Sequence, residues 1–543
     1  MSVLLLVRLR DPQEREGCSD VFVDGSARGS GLTATSSLPL RPADVLVVLG
    51  LFAVGLLLRL PLSPFGQTVE EALDPILSAL AIRDDFRFVA PPFLHFGYGR
   101  GISWLPLVIG TPEGLLEVTL RRSVVQALVA PLVYLAGRSL IGQVSGSALA
   151  PALFALVLAT SGDFLQTAVS GHETYMAAEW GAMALLAVAS LASAPKRGAG
   201  LLGVCLAMAV MNHPLAAPTL LLLFLAPRGM PRYIAWSSAA LLLFPQALRF
   251  GVALVGGFPD ELLPPPGSGP HGTLGELLAV FRPASNIEVL ILMLALPVSA
   301  WLLRGTPRRG IAWIGCAAMG LALLEVTISG SSNGWYWRPL APLMALLGSL
   351  SLAVLLTRRS WVAPVAAVLA CGVALVSVGR TAAAFEDCPS SLRYVGHVTA
   401  LGSWLERSQE AGPWGLRAIA DIQGTGRQQL APLAVDRRLA ETEPGLFLPL
   451  GEGGDTERVL LHVEAAPEAL GRFVDLLQGE GELVAIADRF ALVELPNAGA
   501  VTALERRLCA LGGGALRFDD PRRWMAILDQ PARVRREPSC AAP

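Results

Sequence analysis

The sequence predicts a polytopic α-helical membrane protein of about 11 transmembrane helices (11–13) followed by a soluble C-terminal α/β domain. Three observations carry this. Hydrophobic residues make up 53% of the 543 and charged residues only 16%, with a mean hydropathy of +0.54, far above ordinary soluble domains. The apolar runs are concentrated before residue 380, and after it the texture turns to short alternating segments. The basic doublets between the runs fall on every second connection, as a chain weaving through a bilayer requires.

The predicted organisation is a cytoplasmic N-terminal segment, 1–43, a transmembrane domain, 44–380, with a large first external loop, 61–118, and an external α/β domain, 381–543. Met1 to Val7 is apolar but is followed at once by Arg8, Arg10, Asp11, Glu14 and Glu16, so it reads as no cleavable signal peptide, and Val45 to Leu60 is the first anchor. The predicted spans are 44–60, 119–141, 145–160, 174–194, 199–212, 214–226, 233–256, 287–303, 310–329, 338–357 and 361–379. The two that meet at Asn212-His213-Pro214 are short, which leaves open whether they are half-helices joined at a break.

Lys and Arg accumulate on cytoplasmic loops. Lys196-Arg197, Arg228 with Arg232, Arg304 with Arg308-Arg309, and Arg358-Arg359 are therefore assigned inside, which gives a cytoplasmic N-terminus and an external C-terminus. Residues 102–118 are apolar but interrupted by Gly110, Pro112 and Gly114, and read as an interfacial helix pair rather than a span. In the C-terminal part, Tyr394 to Gln409 and Pro467 to Gln478 read as helices, Leu416 to Ile422 and Arg458 to Val463 as strands, and Leu483 to Leu495 as a hairpin-like pair.

A net charge of −2 with dispersed basic residues excludes nucleic acid as a partner; membrane lipids are the expected surroundings. Cys205, Cys316 and Cys371 sit in apolar runs, and Cys388, Cys509 and Cys540 can supply one disulfide if their domain faces an oxidising compartment. No Cys/His spacing resembles a zinc site, so no structural metal is expected.

Candidate chemistry lies outside. The first loop carries Glu70, Glu71 and Asp74, three carboxylates within five residues, suited to a general base or to metal ligands, or simply to a solvated loop helix. His95, Arg100, the Arg121-Arg122 doublet, Asp163, His172-Glu173, Asn212-His213 and Tyr336-Trp337-Arg338 fall on the same side by this parity. Glu179, Glu325 and His213 are ionisable groups within spans, which are costly to bury. Trp335, Tyr336 and Trp337 suit either a sugar or isoprenoid contact or an interfacial aromatic belt.

The order of these features resembles the GT-C superfamily of membrane glycosyltransferases, in particular the branch with protein O-mannosyltransferases, the lipid A aminoarabinose transferase and bacterial Rgt-like enzymes. The likeness spans roughly residues 44–360. It rests on Arg59 and Pro61 closing the first span, Glu70-Glu71-Ala72 in place of the family's Asp-Glu-Ala, and His95-Phe96-Gly97-Tyr98 near its His-Pro-Pro-Leu. Leu120-Arg121-Arg122-Ser123 leads into Leu132 to Arg138, and Tyr336-Trp337-Arg338-Pro339 to Pro342 resembles the family's Arg-Tyr-Leu-x-Pro-x-x-Pro. The resemblance implies an inverting transfer of a sugar from a polyprenyl-phosphate-linked donor to a hydroxyl acceptor, whether lipid, glycan or protein, at the outer face of a bacterial inner membrane. It implies Glu70 or Glu71 as base. Asp74, His95, Arg121, His172, His213, Tyr336 and Arg338 are the expected substrate contacts, with Arg122, Arg100 and Arg282 as further cations for the leaving phosphate. No cofactor is expected; the alternative left open is a divalent metal near His172-Glu173, although Asp163 and Glu173 are ten residues apart rather than a compact acidic pair. A lipid or solute transporter or flippase, and a non-catalytic scaffold with the same shell, remain as other readings.

Overall fold

A computed structural model describes residues 41–66, 70–85, 97–110, 112–141, 148–162, 164–165, 173–255, 287–304, 309–329 and 338–386. In the C-terminal part it describes 395–396, 398–399, 403, 418–419, 436, 439, 457–462, 482–487, 490–497, 499–500 and 503.

Each predicted span coincides with a helix. Helix α1, Pro42–Arg59, starts with proline at its first turn, where a missing N–H costs nothing, and Asp44 accepts a hydrogen bond from the Arg41 amide (3.0 Å). Its buried residues, Asp44, Leu51, Gly55 and Arg59, form one stripe, while Leu46, Leu49 and Leu57 are exposed, the pattern of a helix with one face to protein and one to lipid. A 3-10 turn over Leu60–Phe65 leads to α2, Glu70–Asp85, and α3, Gly97–Val108.

The predicted pair at 102–118 is two helical pieces separated at Gly110–Gly114. Its first half belongs to α3, which buries Trp104, Leu107 and Val108, and its second half opens α4, Leu115–Ala127. Gly110, at φ +79°, allows the turn between them. Helix α4 continues almost directly into α5, Val129–Ile141; Pro131 cannot donate to the carbonyl four residues back, and the Leu128 amide bonds to Val125 instead (3.1 Å).

Next come α6, Leu149–Thr160, α7, Glu173–Ser190, and α8, Pro195–Asn212. A long 3-10 helix, Pro214–Leu225, precedes α9, Met230–Val255. Helices α10, Ile287–Leu302, α11, Arg309–Ser329, α12, Ala341–Arg358, and α13, Val362–Glu386, complete the membrane part. At 1.5 Å per residue α8 is about 27 Å long, and at 2.0 Å per residue the 3-10 helix is about 24 Å long. Both lengths approach the roughly 30 Å of a bilayer's apolar core. Among the described residues, four stretches are long and apolar enough to cross a membrane by length and composition: Pro42–Phe65, Leu115–Ile141, Arg338–Arg358 and Val362–Ala383.

Helix α12 is the hub. Nearly all of it from Ala341 to Leu350 is buried, and it packs on α5, α6, α7 and α10. Small residues let neighbours approach closely: the Cβ position of Gly203 in α8 lies against the Ala235 carbonyl of α9, and that of Gly348 in α12 against the Phe154 ring of α6. Helices α1 and α13 are mostly exposed at the periphery.

Four strands are described in the C-terminal part: β1, Ala418–Ile419, β2, Glu457–His462, β3, Glu482–Ala487, and β4, Phe490–Leu495. They form one sheet in the order β1-β2-β4-β3, with β1 and β2 parallel and the other pairs antiparallel. The strands fall where the alternating pattern predicts them. The predicted helix 467–478, most of 394–409, and Cys388, Cys509 and Cys540 lie outside the described residues.

Candidate functional site

The bundle has two polar ends. At one, Asp44 from the start of α1 accepts hydrogen bonds from Arg138 Nε (3.0 Å), in the last turn of α5, and from Tyr134 Oη (2.7 Å), one turn earlier. At the other, α1, α6 and α8 end while α4, α7 and α12 begin. There the buried cations gather: Arg59, Arg100, Arg122 and Arg338 are each at most 3% exposed.

Arg122, in the second turn of α4, pairs with Glu179 of α7 through two contacts, Nη1 to Oε2 at 2.9 Å and Nη2 to Oε1 at 2.8 Å. Its guanidinium also lies 5.2 Å from the centroid of the Trp104 ring on α3. A fork held by a carboxylate on one side and an aromatic face on another has its plane fixed. Arg338, in the 3-10 turn Arg338–Leu340 before α12, stacks at 5.1 Å on Tyr175 of α7, and Tyr175 is held edge-on by Phe164 at 4.9 Å. Arg59 Nη1 donates to the carbonyls of Gly55 (3.0 Å) and Ala159 (3.3 Å), joining the ends of α1 and α6. Ser63 and Ser123 share a hydrogen bond of 3.0 Å beside it.

A second knot ties α3 to this cluster. Ser103 Oγ donates to the Gly99 carbonyl (2.8 Å) and accepts from Trp180 Nε1 (2.8 Å) and Asn212 Nδ2 (2.9 Å). Trp104 Nε1 reaches Met176 Sδ (2.8 Å). Gly99 allows α3 to lie against Met211, and Gly101 allows it to lie against Ser78 and Ile82 of α2, because any Cβ at either position would overlap those neighbours. So α2, which opens at Glu70-Glu71, is held against α3, and α3 against α7 and α8.

Arg121, one residue from Arg122, points elsewhere. It bonds Glu117 (Nε to Oε1, 2.9 Å) and the carbonyls of Leu107 (3.0 Å) and Ile109 (2.7 Å), clasping the end of α3 at a partly exposed position. His213 is 5% exposed and accepts a hydrogen bond on Nδ1 from the Leu215 amide (3.3 Å), so it caps the 3-10 helix at the break. Glu70, Glu71 and Asp74 are described only as backbone of α2. His95, His172 and Tyr336 lie outside the described residues, as do Asp163 and Arg282. Among the described residues, no group of three or more His, Cys, Asp or Glu could hold a metal ion.

Other contributors carry less signal in sequence. Glu179 is visible as a lone carboxylate in an apolar helix, but its partner is not. Ser103 looks like an ordinary helix residue until Trp180 and Asn212 converge on it.

Buried guanidinium groups whose planes are fixed by Glu179, Trp104 and Tyr175 form a preorganised cationic cluster suited to a phosphate or diphosphate. No family model and no curated protein sequence matches the chain. Solved structures do. Over 84% of this chain, the fold is similar to that of ArnT from Cupriavidus metallidurans in the apo state, with a TM-score of 0.52 and 15% identity over 99% of that chain. The same protein bound to undecaprenyl phosphate matches with a TM-score of 0.51 and 14% identity, over 84% of this chain and 98% of that one. A fainter likeness, TM-score 0.45 and 14% identity, covers 72% of this chain and 64% of the Archaeoglobus fulgidus oligosaccharyltransferase in the apo form. At such identities the likeness is one of architecture: this chain shares the fold of ArnT, in line with the resemblance that the order of its sequence features carries.

Proposed function

We propose that the protein is an inverting glycosyltransferase that moves a sugar from a polyprenyl-phosphate carrier to a hydroxyl acceptor at the outer face of the membrane. The observation that carries this is the buried arginine cluster at one end of the bundle, beside the helix that opens with Glu70-Glu71. The fold shared with ArnT, a protein seen bound to undecaprenyl phosphate, supports the carrier as the lipid partner. Orientation is supported by the basic residues. Lys196, Arg232, Arg309 and Arg358 lie at the ends of α8, α9, α11 and α12 that are remote from the cluster, on the side the charge rule assigns to the cytoplasm.

In the proposed reaction, a carboxylate of Glu70 or Glu71 accepts the proton of the acceptor hydroxyl as its oxygen attacks the anomeric carbon. The bond from that carbon to the carrier phosphate breaks from the opposite face, and the phosphate leaves with the electron pair. Arg338 takes the developing negative charge, its fork oriented by Tyr175. Arg122 shapes the cationic wall rather than Arg121, whose donors are engaged with Glu117 and α3.

The test uses Glu70→Gln and Glu71→Gln separately, assaying sugar transfer from polyprenyl-phosphate-linked donors in membranes. One variant is expected to lose about 10²–10⁴-fold in rate, the usual contribution of a general base. Full activity in both removes the assignment. Mass spectrometry of cell-envelope glycolipids with and without the protein then names the acceptor.

A further inference from the structure

Helix α4 carries Arg122, yet it begins without a cap of its own. The residue before it, Gly114, has no side chain, and the nearby Glu117 carboxylate is engaged with the Glu113 amide (2.7 Å) and Arg121. The first amide of the helix is satisfied from far along the chain: Leu115 N–H donates to Asp436 Oδ1 at 2.7 Å. Asp436 is 8% exposed, and a Cβ at Gly114 would stand 2.5 Å from that same oxygen. The glycine leaves room for a cap supplied by the C-terminal chain. A second tether lies on the other flank of the first loop, where Val395 N–H donates to the carbonyl of Gly66, four residues ahead of Glu70 (2.8 Å), and Gly396 packs on Pro64. Val395, Val398 and Leu439 are buried, as docked anchors are.

We propose that Asp436 is a positioning residue for the candidate site: it caps α4 in trans and, through the helix, sets the place of Arg122 against Glu179. The C-terminal chain is then part of the site's frame rather than a separate appendage. An acidic oxygen at a helix N-terminus satisfies an orphan amide and opposes the positive end of the helix dipole. The effect reaches Arg122 because only seven residues, two helical turns, separate it from Leu115. The consequence for a ligand rests on reading the arginine cluster as the carrier-phosphate site; the cap itself does not.

The experiment compares the full-length wild type with Asp436→Ala, Asp436→Asn and Gly114→Ala in lipid nanodiscs. Hydrogen exchange is followed in peptides covering 113–122 and 175–182, and binding is measured with undecaprenyl phosphate as the probe. Asp436→Ala is expected to speed exchange at the start of α4 roughly fivefold, the typical weight of a lost cap, to speed exchange at the start of α7, and to weaken probe binding several-fold. Asp436→Asn keeps the acceptor oxygen and is expected to restore all three. Gly114→Ala, which displaces the carboxylate, is expected to reproduce the alanine variant. Unchanged exchange in α4 overturns the cap. Faster exchange confined to α4, with α7 and probe affinity unmoved, overturns the positioning role. A wild type that binds no undecaprenyl phosphate overturns the carrier reading, while the exchange pattern in α4 and α7 still decides for or against Asp436.

Discussion

Removing the Glu179 carboxylate while Arg122 stays is expected to destabilise the membrane part by about 3–5 kcal/mol, the cost of leaving one member of a buried ion pair alone. The upper part of that range applies because the two side chains are only 1% and 12% exposed and are joined by two contacts of 2.8 and 2.9 Å. Arg122 cannot swing out to water, since Trp104 covers its face. With an unfolding entropy of about 2.1 cal/mol/K per residue over the membrane part, the loss corresponds to roughly 4–7 °C in Tm. The assay is thermal unfolding of the purified full-length protein, as a double-mutant cycle of Glu179→Gln, Arg122→Met and both together. The double variant removes both charges and is expected to recover at least about 2 kcal/mol relative to the sum of the single variants. A Glu179→Gln protein that melts within about 1 °C of wild type would refute the reasoning, and so would strict additivity of the two substitutions.

At the opposite end, Asp44→Asn leaves Arg138 buried without its anion and is expected to lower Tm by a similar amount while undecaprenyl phosphate affinity stays at the wild-type value, because the two ends share no side chain. Gly203→Val drives a side chain into the Ala235 carbonyl and is expected to cost about 1–3 kcal/mol, read as lower Tm and lower yield of monodisperse protein. Arg121→Ala removes a partly exposed pair with Glu117 and is expected to shift stability by at most about 1 kcal/mol, against a far larger loss for Arg122→Ala, a contrast that thermal unfolding of the two variants checks directly.

The positions of the helices were legible because lipid imposes a simple demand: an uninterrupted apolar run must satisfy its own backbone, so runs and helices coincide. The break at His213 was legible for the same reason, with Pro214 following it. What sequence could not separate was Arg121 from Arg122. Adjacent residues on a helix point about 100° apart, and only the packed neighbours determine that one faces Glu179 and the other the end of α3. Asp436 was invisible in principle, since a cap from 321 residues away leaves no local pattern. The split within 102–118 was legible because Gly110, Pro112 and Gly114 interrupt an otherwise apolar run, and Gly110 takes the positive φ of the turn between the two helices.

The 3-10 winding of Pro214–Leu225 sets a height. Twelve residues wound as an α-helix would reach about 18 Å, some 6 Å short of the span they make as a 3-10 helix. The buried Ala216, Thr219 and Leu222 recur every third residue, matching the tighter turn. The segment is thus a strut of definite length between the Arg232 clasp on the carbonyls of Phe224 and Ala226 and the Asn212-His213 corner. Shorten the strut, and that corner is drawn inward along with the amide that Ser103 receives; the level at which α3 rests over the arginines is therefore set by how a neighbouring helix is wound.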